Sequence, residues 1–136
     1  MGTQTLAASE VISVARFREA LRSFLRRNER AARECGLTPQ RYLLLLMIKG
    51  APDGSERATV TELSRRLHLA QSTVTELCAR AEEVGLLTRE PNADDGRVAY
   101  VRLTAEGERR FACAFLESTA ERAALRDAIA SLDHSP

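Results

Sequence analysis

The feature that most constrains this chain is a change of hydrophobic period partway along it. Between Val60 and Val84 apolar residues recur at spacings of three and four, which is typical of helices. Across Leu86–Glu90 and Val98–Leu103 the pattern becomes that of two short strands. The helical part is interrupted by a tight turn near His68. We therefore expect a mainly α fold in which two short helices are followed by a small β-hairpin.

Helix-capping residues and glycines mark the remaining boundaries. Thr38, Thr59 and Thr104 each stand where a side chain can accept a hydrogen bond from the first turn of a helix. The predicted helices are Val11–Cys35, Thr38 to near Gly50, Thr59–Leu67, Gln71 to about Val84, and a helical region from Ala105 to Leu132 with a break near Ser118. The first helix carries an apolar stripe that is suited either to a subunit contact or to core packing.

Composition limits the class of protein. The 136 residues suit one domain, and the net charge of +1 neither demands nor excludes a polyanionic partner. No apolar run reaches the ~18–20 residues of a membrane-spanning helix, and Met1–Glu10 does not read as a secretory signal. We expect a cytoplasmic chain with reduced thiols and no metal or other cofactor. Cys78 and Cys113 are interpreted as small buried hydrophobes.

The second short helix after the turn has two different faces. Val74, Cys78, Ala81 and Val84 recur on one side and are expected to face the core. The opposite side presents Ser72, Thr73, Thr75, Glu76 and Arg80. Short hydroxyl side chains at a helix start are suited to contacts with base edges or phosphates in a major groove. The alternative is that Ser72 and Thr73 only cap the helix.

The hairpin loop supplies a second candidate contact. Arg97 follows Asp95 and Gly96 near the tip, where a guanidinium can enter a narrow minor groove. Asp95 is expected to hold that guanidinium through a bidentate ion pair. The alternative is a turn with no further role, since Asp and Gly are common turn residues.

In order and spacing, six short motifs between Leu37 and Gly107 resemble the MarR family of bacterial transcription factors. They are Leu37-Thr38-Pro39-Gln40, Thr61-Glu62-Leu63, Ser72-Thr73-Val74-Thr75, Glu83-Val84-Gly85-Leu86, Asp95-Gly96-Arg97 and Leu103-Thr104-Ala105-Glu106-Gly107. The resemblance implies a homodimer that places two winged helix-turn-helix units on a palindromic operator in double-stranded DNA. It further implies that the helix from Ser72 reads the major groove and that Arg97 probes the minor groove. Two residues depart from the family pattern: Gly96 replaces an arginine, and Glu76 stands where a basic residue is common.

The resemblance also implies candidates for regulation. Family members often bind small phenolic or lipophilic effectors between the dimerisation helices and the winged unit, which here points to Phe17, Arg41 and Tyr42. Tyr42 is equally suited to packing in the core. Some relatives sense oxidants through a cysteine, and Cys35, near a helix end, is the candidate in this chain.

The resulting hypothesis divides one compact domain into three segments. Residues 1–36 form an N-terminal dimerisation helix, 37–104 the winged helix-turn-helix region, and 105–136 the C-terminal dimerisation helices. The expected function is a repressor that an effector releases from its operator. A winged-helix module that binds a protein and no DNA is the alternative, and a redox-sensing repressor is a lesser one. No nucleophile, phosphate-binding or paired acid–base motif indicates an enzyme.

Overall fold

The computed structural model describes residues 4–133, so that residues 1–3 and 134–136, at the ends of the first and third predicted segments, lie outside the described residues. The described elements, in chain order, are α1 (Ala8–Glu34), α2 (Pro39–Lys49), β1 (Arg57–Ala58), α3 (Val60–Leu67), α4 (Gln71–Glu83), β2 (Leu87–Pro91), β3 (Ala99–Leu103), α5 (Ala105–Glu117) and α6 (Thr119–Asp133). The predicted mainly α winged helix-turn-helix class is confirmed.

Local capping chemistry starts three of the helices. The hydroxyl of Thr38 accepts from the backbone N–H of Arg41 at 3.1 Å, and that of Thr59 accepts from Glu62 at 3.2 Å. Thr104 accepts from the N–H of Gly107 at 3.1 Å. Each bond satisfies one of the amide donors that a helix N-terminus leaves without a partner. The predicted break between the last two helices lies at Ser118, which ends α5.

The sheet has three strands, one more than predicted. Its order is β1-β3-β2, and both pairings are antiparallel. Thr88 pairs with Arg102 on one side of β3, and Arg57 pairs with the same Arg102 on the other. The two residues of β1 are too few to show the alternating pattern of a strand, so β1 is recognised only by its pairing with β3.

The core lies where α2, α3 and α4 meet the sheet and α5. Its fully buried side chains are Leu44, Leu45, Ile48, Leu63, Val74, Cys78 and Leu86. The ring of Phe111 joins α5 to this core, with centroids 5.6 Å from Tyr42 and 5.4 Å from Phe115. Val84 was predicted to face the core, and this prediction is wrong. It is the C-terminal cap residue of α4 and is exposed, because the backbone has already left the helix there.

Helix α1 packs along α5 and α6 rather than on the winged unit alone. Buried Ser118 donates to the Asn28 side-chain oxygen at 2.9 Å, which fixes the α5–α6 junction against α1. Lys49, the only lysine, joins α2 to α5 and to the segment before β1 through Glu108 at 2.9 Å and Glu56 at 3.1 Å. These contacts hold the winged unit against the long helices.

Candidate nucleic-acid interface

The turn between α3 and α4 is held by its own backbone. His68 ends α3 in the left-handed conformation, with φ of 57°. The N–H of Leu69 donates to the carbonyl of Ser64 at 3.1 Å, and the Ser64 hydroxyl donates to the Leu69 carbonyl at 2.5 Å. This reciprocal pair sets the direction in which α4 leaves the turn.

Helix α4 buries one face and exposes the other, as its sequence predicts. Val74, Cys78 and Ala81 are fully buried. The exposed side chains, which we call the α4 face, are Ser72, Thr73, Thr75, Glu76 and Arg80. The N-cap residue is Ala70, which has no side chain to cap the helix. The capping alternative for Ser72 and Thr73 is therefore wrong, and both residues are exposed on the first turn of α4.

An ion pair on the α4 face joins its acidic and basic members. Arg80 Nη2 lies 2.8 Å from Glu76 Oε1, and both side chains are more than 60% exposed, at 64% and 63%. The spacing of four residues places these side chains one turn apart on the same side of the helix. The carboxylate that departs from the family pattern thus has its own counter-charge.

The hairpin loop, which together with β2 and β3 we call the wing, is ordered by side-chain to backbone bonds. Asn92 Oδ1 accepts from the N–H of Asp94 at 2.9 Å, and Asp95 Oδ1 accepts from the N–H of Arg97 at 3.0 Å. The predicted ion pair between Asp95 and the Arg97 guanidinium is therefore replaced by a turn-forming bond. Asp95 shapes the loop backbone, and the Arg97 side chain is exposed.

A second ion pair connects the wing to α4, and sequence reasoning missed it. Arg89 Nε on β2 lies 2.9 Å from Glu82 Oε1 on α4. The next residue of β2, Glu90, accepts from Arg102 at 3.2 Å and lies 3.4 Å from Arg57. The two adjacent charges of β2 were visible in the sequence, but the fold determines which residues they pair with.

A groove of about 510 Å³ separates the N-terminus of α2 from α4; we call it the α2–α4 groove. Its lining residues are Thr38, Pro39, Gln40, Arg41, Thr73, Glu76, Leu77 and Arg80. The guanidinium of Arg41 and the first turn of α2 favour anionic occupants, whereas Arg80 is paired with Glu76 in the same lining. Half of its lining belongs to α4, so an occupant would touch residues of the α4 face.

Comparison with known proteins agrees with this geometry. Residues 36–98 match the model of the MarR family. The winged unit of this chain belongs to the MarR family. A search of curated proteins finds no match.

Several solved structures share the fold over most of the chain. A cysteine-to-serine mutant of MarR from E. coli, complexed with operator DNA, is 20% identical with a TM-score of 0.69, and the match covers 96% of this chain and 95% of that one. NadR in complex with 4-hydroxyphenylacetate is 23% identical with a TM-score of 0.68, over 95% and 86%. The transcriptional regulator Tm0710 from Thermotoga maritima is 29% identical with a TM-score of 0.60, over 84% and 75%.

The cysteines of this chain differ from the prediction. Cys35 and Cys113 form a disulfide, with their Cα atoms 5.9 Å apart and a sequence separation of 78. Cys113 is exposed and is not a buried hydrophobe. The predictions of reduced thiols and of a packing role for Cys113 are therefore wrong, because the fold brings the end of α1 against α5. Cys78 is buried as predicted, and burial raises the pKa of its thiol to about 11.

Of the residues predicted to bind an effector, only Arg41 lines the α2–α4 groove. Tyr42 is buried and stacked on Phe111 in the core, and burial raises its pKa while the charge of Arg122 lowers it. Arg41 lines the α2–α4 groove, and neither Tyr42 nor Phe17 does. Phe17 is half-buried on α1. Of the three, Arg41 alone reaches this groove.

Two further classes of site are absent from the part of the chain that the structure describes. Residues 4–133 contain no cluster of three or more His, Cys, Asp or Glu side chains that could hold a metal ion. None of the helices in this range has the length and apolar character needed to cross a bilayer.

Proposed function

We propose that this protein is a sequence-specific regulator that binds double-stranded DNA as a homodimer. The observation that carries the proposal is the α4 face, where Ser72, Thr73 and Thr75 are exposed and uncommitted to capping. Arg97, exposed on the wing, supplies the second contact, in the minor groove. The operator complex of the structurally similar E. coli MarR supports the same mode of action.

The dimer is proposed from apolar side chains that one chain leaves uncovered. Leu6 is 78% exposed, and Val11 and Ile12 near the start of α1 are each about half exposed. Leu116 and Ile129 on α5 and α6 are also exposed. Apolar side chains left exposed on three packed helices are typical of a subunit interface. A two-fold dimer of this kind would present two copies of α4 to a palindromic operator.

We propose repression relieved by a small anionic or phenolic effector. NadR, a structural relative, has been crystallised with 4-hydroxyphenylacetate. In this chain the α2–α4 groove offers Arg41 to a carboxylate, beside Arg80 and its partner Glu76. An effector carboxylate bound there would compete with Glu76 for Arg80 and would obstruct the α4 face. The expected effect is release of the operator.

Redox control is a second candidate for regulation, and the disulfide favours it. Formation of the Cys35–Cys113 bond from two thiols removes two electrons and two protons. A hydroperoxide is the proposed oxidant: one thiolate takes its terminal oxygen as a sulfenic acid and releases an alcohol or water. The second thiol then displaces water to form the disulfide. Exposure of Cys113 gives such an oxidant access.

DNA titration tests the main proposal. Sites would be selected from random-sequence duplexes and measured at several salt concentrations, where a specific complex weakens steeply as salt rises. Replacement of Arg97 by alanine is expected to lower the affinity for the selected site roughly 5- to 100-fold. Arg109→Ala, which removes an exposed charge from α5, serves as the matched control. If no preferred duplex is recovered, the proposal is wrong.

The same preparation tests the dimer. Sedimentation or light scattering should give twice the 15.0 kDa mass of the chain. Val11→Glu or Ile12→Glu should shift that mass toward the monomer, because a charge on an apolar interface is costly to bury. A monomer in the unmodified protein would contradict the dimer.

A further inference from the structure

We propose that Glu76 selects a cytosine in each operator half-site and that Arg80 is the positioning residue for its carboxylate. The inference rests on the proposed DNA-binding function and deepens it by assigning a base to one side chain. It starts from the departure that the sequence showed, which is an acidic residue in the middle of the α4 face.

The carboxylate of Glu76 has one partner and is otherwise exposed. Oε1 accepts from Arg80 Nη2 at 2.8 Å. Among residues 4–133 Arg80 is the only residue that bonds this carboxylate, and the side chain is 63% exposed. Because Arg80 lies one turn toward the C-terminus of α4, the ion pair restricts the rotamer of Glu76, and the exposed carboxylate keeps the capacity to accept further hydrogen bonds.

The ion pair also removes an electrostatic objection. A lone carboxylate near the phosphates of DNA would be repelled, since duplex DNA carries one negative charge per about 1.7 Å of axis. Arg80 cancels the charge of Glu76 at a distance of 2.8 Å. The Glu76–Arg80 pair therefore carries no net charge near the duplex, and the exposed carboxylate of Glu76 still accepts hydrogen bonds.

The chemistry of the major groove then determines the base. An acceptor that carries no hydrogen requires a donor, and only the amino groups of cytosine and adenine supply one. In adenine the N6 amino group stands beside N7, a second acceptor that repels a carboxylate oxygen. Cytosine presents N4–H₂ with no acceptor of its own in the groove. A carboxylate at this position therefore favours cytosine.

The competing explanation is a surface ion pair with no part in recognition. Exposed pairs at this spacing stabilise a helix only slightly. On that explanation, removal of the negative charge would tighten binding to every sequence alike, because one repulsion from phosphate is lost. The proposed inference therefore predicts that removal of the charge changes the base preference, whereas the competing explanation predicts that the base preference stays the same.

The experiment compares sites selected from random duplexes by the unmodified protein, Glu76→Gln and Glu83→Gln. Glu83 is an exposed acid near the end of the same helix, so its variant is the matched control for charge. The unmodified protein and Glu83→Gln should both select cytosine at one position of each half-site. Glu76→Gln should lose that preference by roughly 5- to 150-fold and shift toward adenine, whose N6 and N7 match a glutamine amide.

Modified DNA gives a readout that depends on one hydrogen. N4-methylcytosine keeps its base pair with guanine and replaces the amino hydrogen that faces the groove. At the selected position, this modified base should lower the affinity of the unmodified protein for the duplex by a similar factor. The affinity of Glu76→Gln should be almost unchanged. For Arg80, lysine should preserve part of the cytosine preference and alanine should abolish it, since the role requires only a cation beside the carboxylate.

Three results would overturn the inference. Glu76→Gln could select the same bases with uniformly tighter binding, or N4-methylation could have no effect at any selected cytosine, or the unmodified protein could select a site without cytosine. In each of these cases the proposed DNA-binding function stands, because a preferred site exists. If the unmodified protein selects no site, the proposed function fails together with the inference.

Discussion

The disulfide between Cys35 and Cys113 joins the residue that ends α1 to the exposed side of α5. It therefore bridges the two helical segments that flank the winged unit in sequence, and it closes a loop of 78 residues. Arg110 Nη1 donates to the carbonyl of Gly36 at 3.0 Å beside it. The covalent and polar links act at the same place, where α1 turns toward α2.

Reduction of this disulfide should lower the free energy of unfolding by about 2–4 kcal/mol, because the denatured chain regains the freedom that a long closed loop removes. Denaturant unfolding with and without dithiothreitol measures the difference. Cys113→Ser should show the lower value in both conditions, and Cys78→Ala should keep its response to reductant. Equal stability of the oxidised and reduced protein would contradict the prediction.

Gly107 lies where α5 passes the backbone of Leu86. A Cβ at this glycine would stand 2.2 Å from the Leu86 carbonyl oxygen, so one of the two backbones must move. Gly107→Ala should therefore destabilise the fold by roughly 1–3 kcal/mol, as overpacking does elsewhere. Gly96→Ala is the control, since nothing lies within 4 Å of its Cβ position. Thermal unfolding of both variants should separate them, and equal melting temperatures would contradict the assigned contact.

The ion pair between Arg89 and Glu82 should orient the wing relative to α4. Loss of either partner removes an exposed pair, so Arg89→Ala and Glu82→Gln should each weaken operator binding by about 1.5- to 5-fold. The double variant should be no weaker than the single ones. If Arg89 instead contacts phosphate directly, Glu82→Gln would leave affinity unchanged or raise it, and titration of the three variants would detect this.

Burial of Cys78 should make stability depend on alkaline pH. Its folded pKa of about 11 lies above the ordinary value of 9.0, so the folded state holds the proton more tightly than the unfolded state does. The resulting stability is present below about pH 9 and is lost as pH rises through about 11, at up to roughly 1.4 kcal/mol per pH unit. Cys78→Ala should show a shallower decline over this range. Denaturant unfolding at pH 8, 9 and 10 measures the slopes, and identical slopes would show that the thiol is not responsible.

Several features of this protein were determined by residues close together in the chain. Thr38, Thr59 and Thr104 begin helices because each hydroxyl meets an amide only three residues ahead. The two faces of α4 follow from its apolar spacing, so Val74, Cys78 and Ala81 were correctly predicted to be buried and the α4 face to be exposed. The Glu76–Arg80 pair is local for the same reason, since four residues make about one helical turn.

Other features were decided only by the tertiary structure. Strand β1 exists because Arg57 and Ala58 pair with β3, and two residues are too few to show the alternation of a strand. The bond of Cys35 to Cys113 and the pairing of Arg89 with Glu82 depend on how helices and wing pack. Asp95 bonds the backbone of Arg97 rather than its guanidinium, which the loop conformation determines. The local sequence pattern determines whether a side chain lies on the buried or the exposed face of its element. The residue that it contacts across elements is determined by the packing of the whole domain.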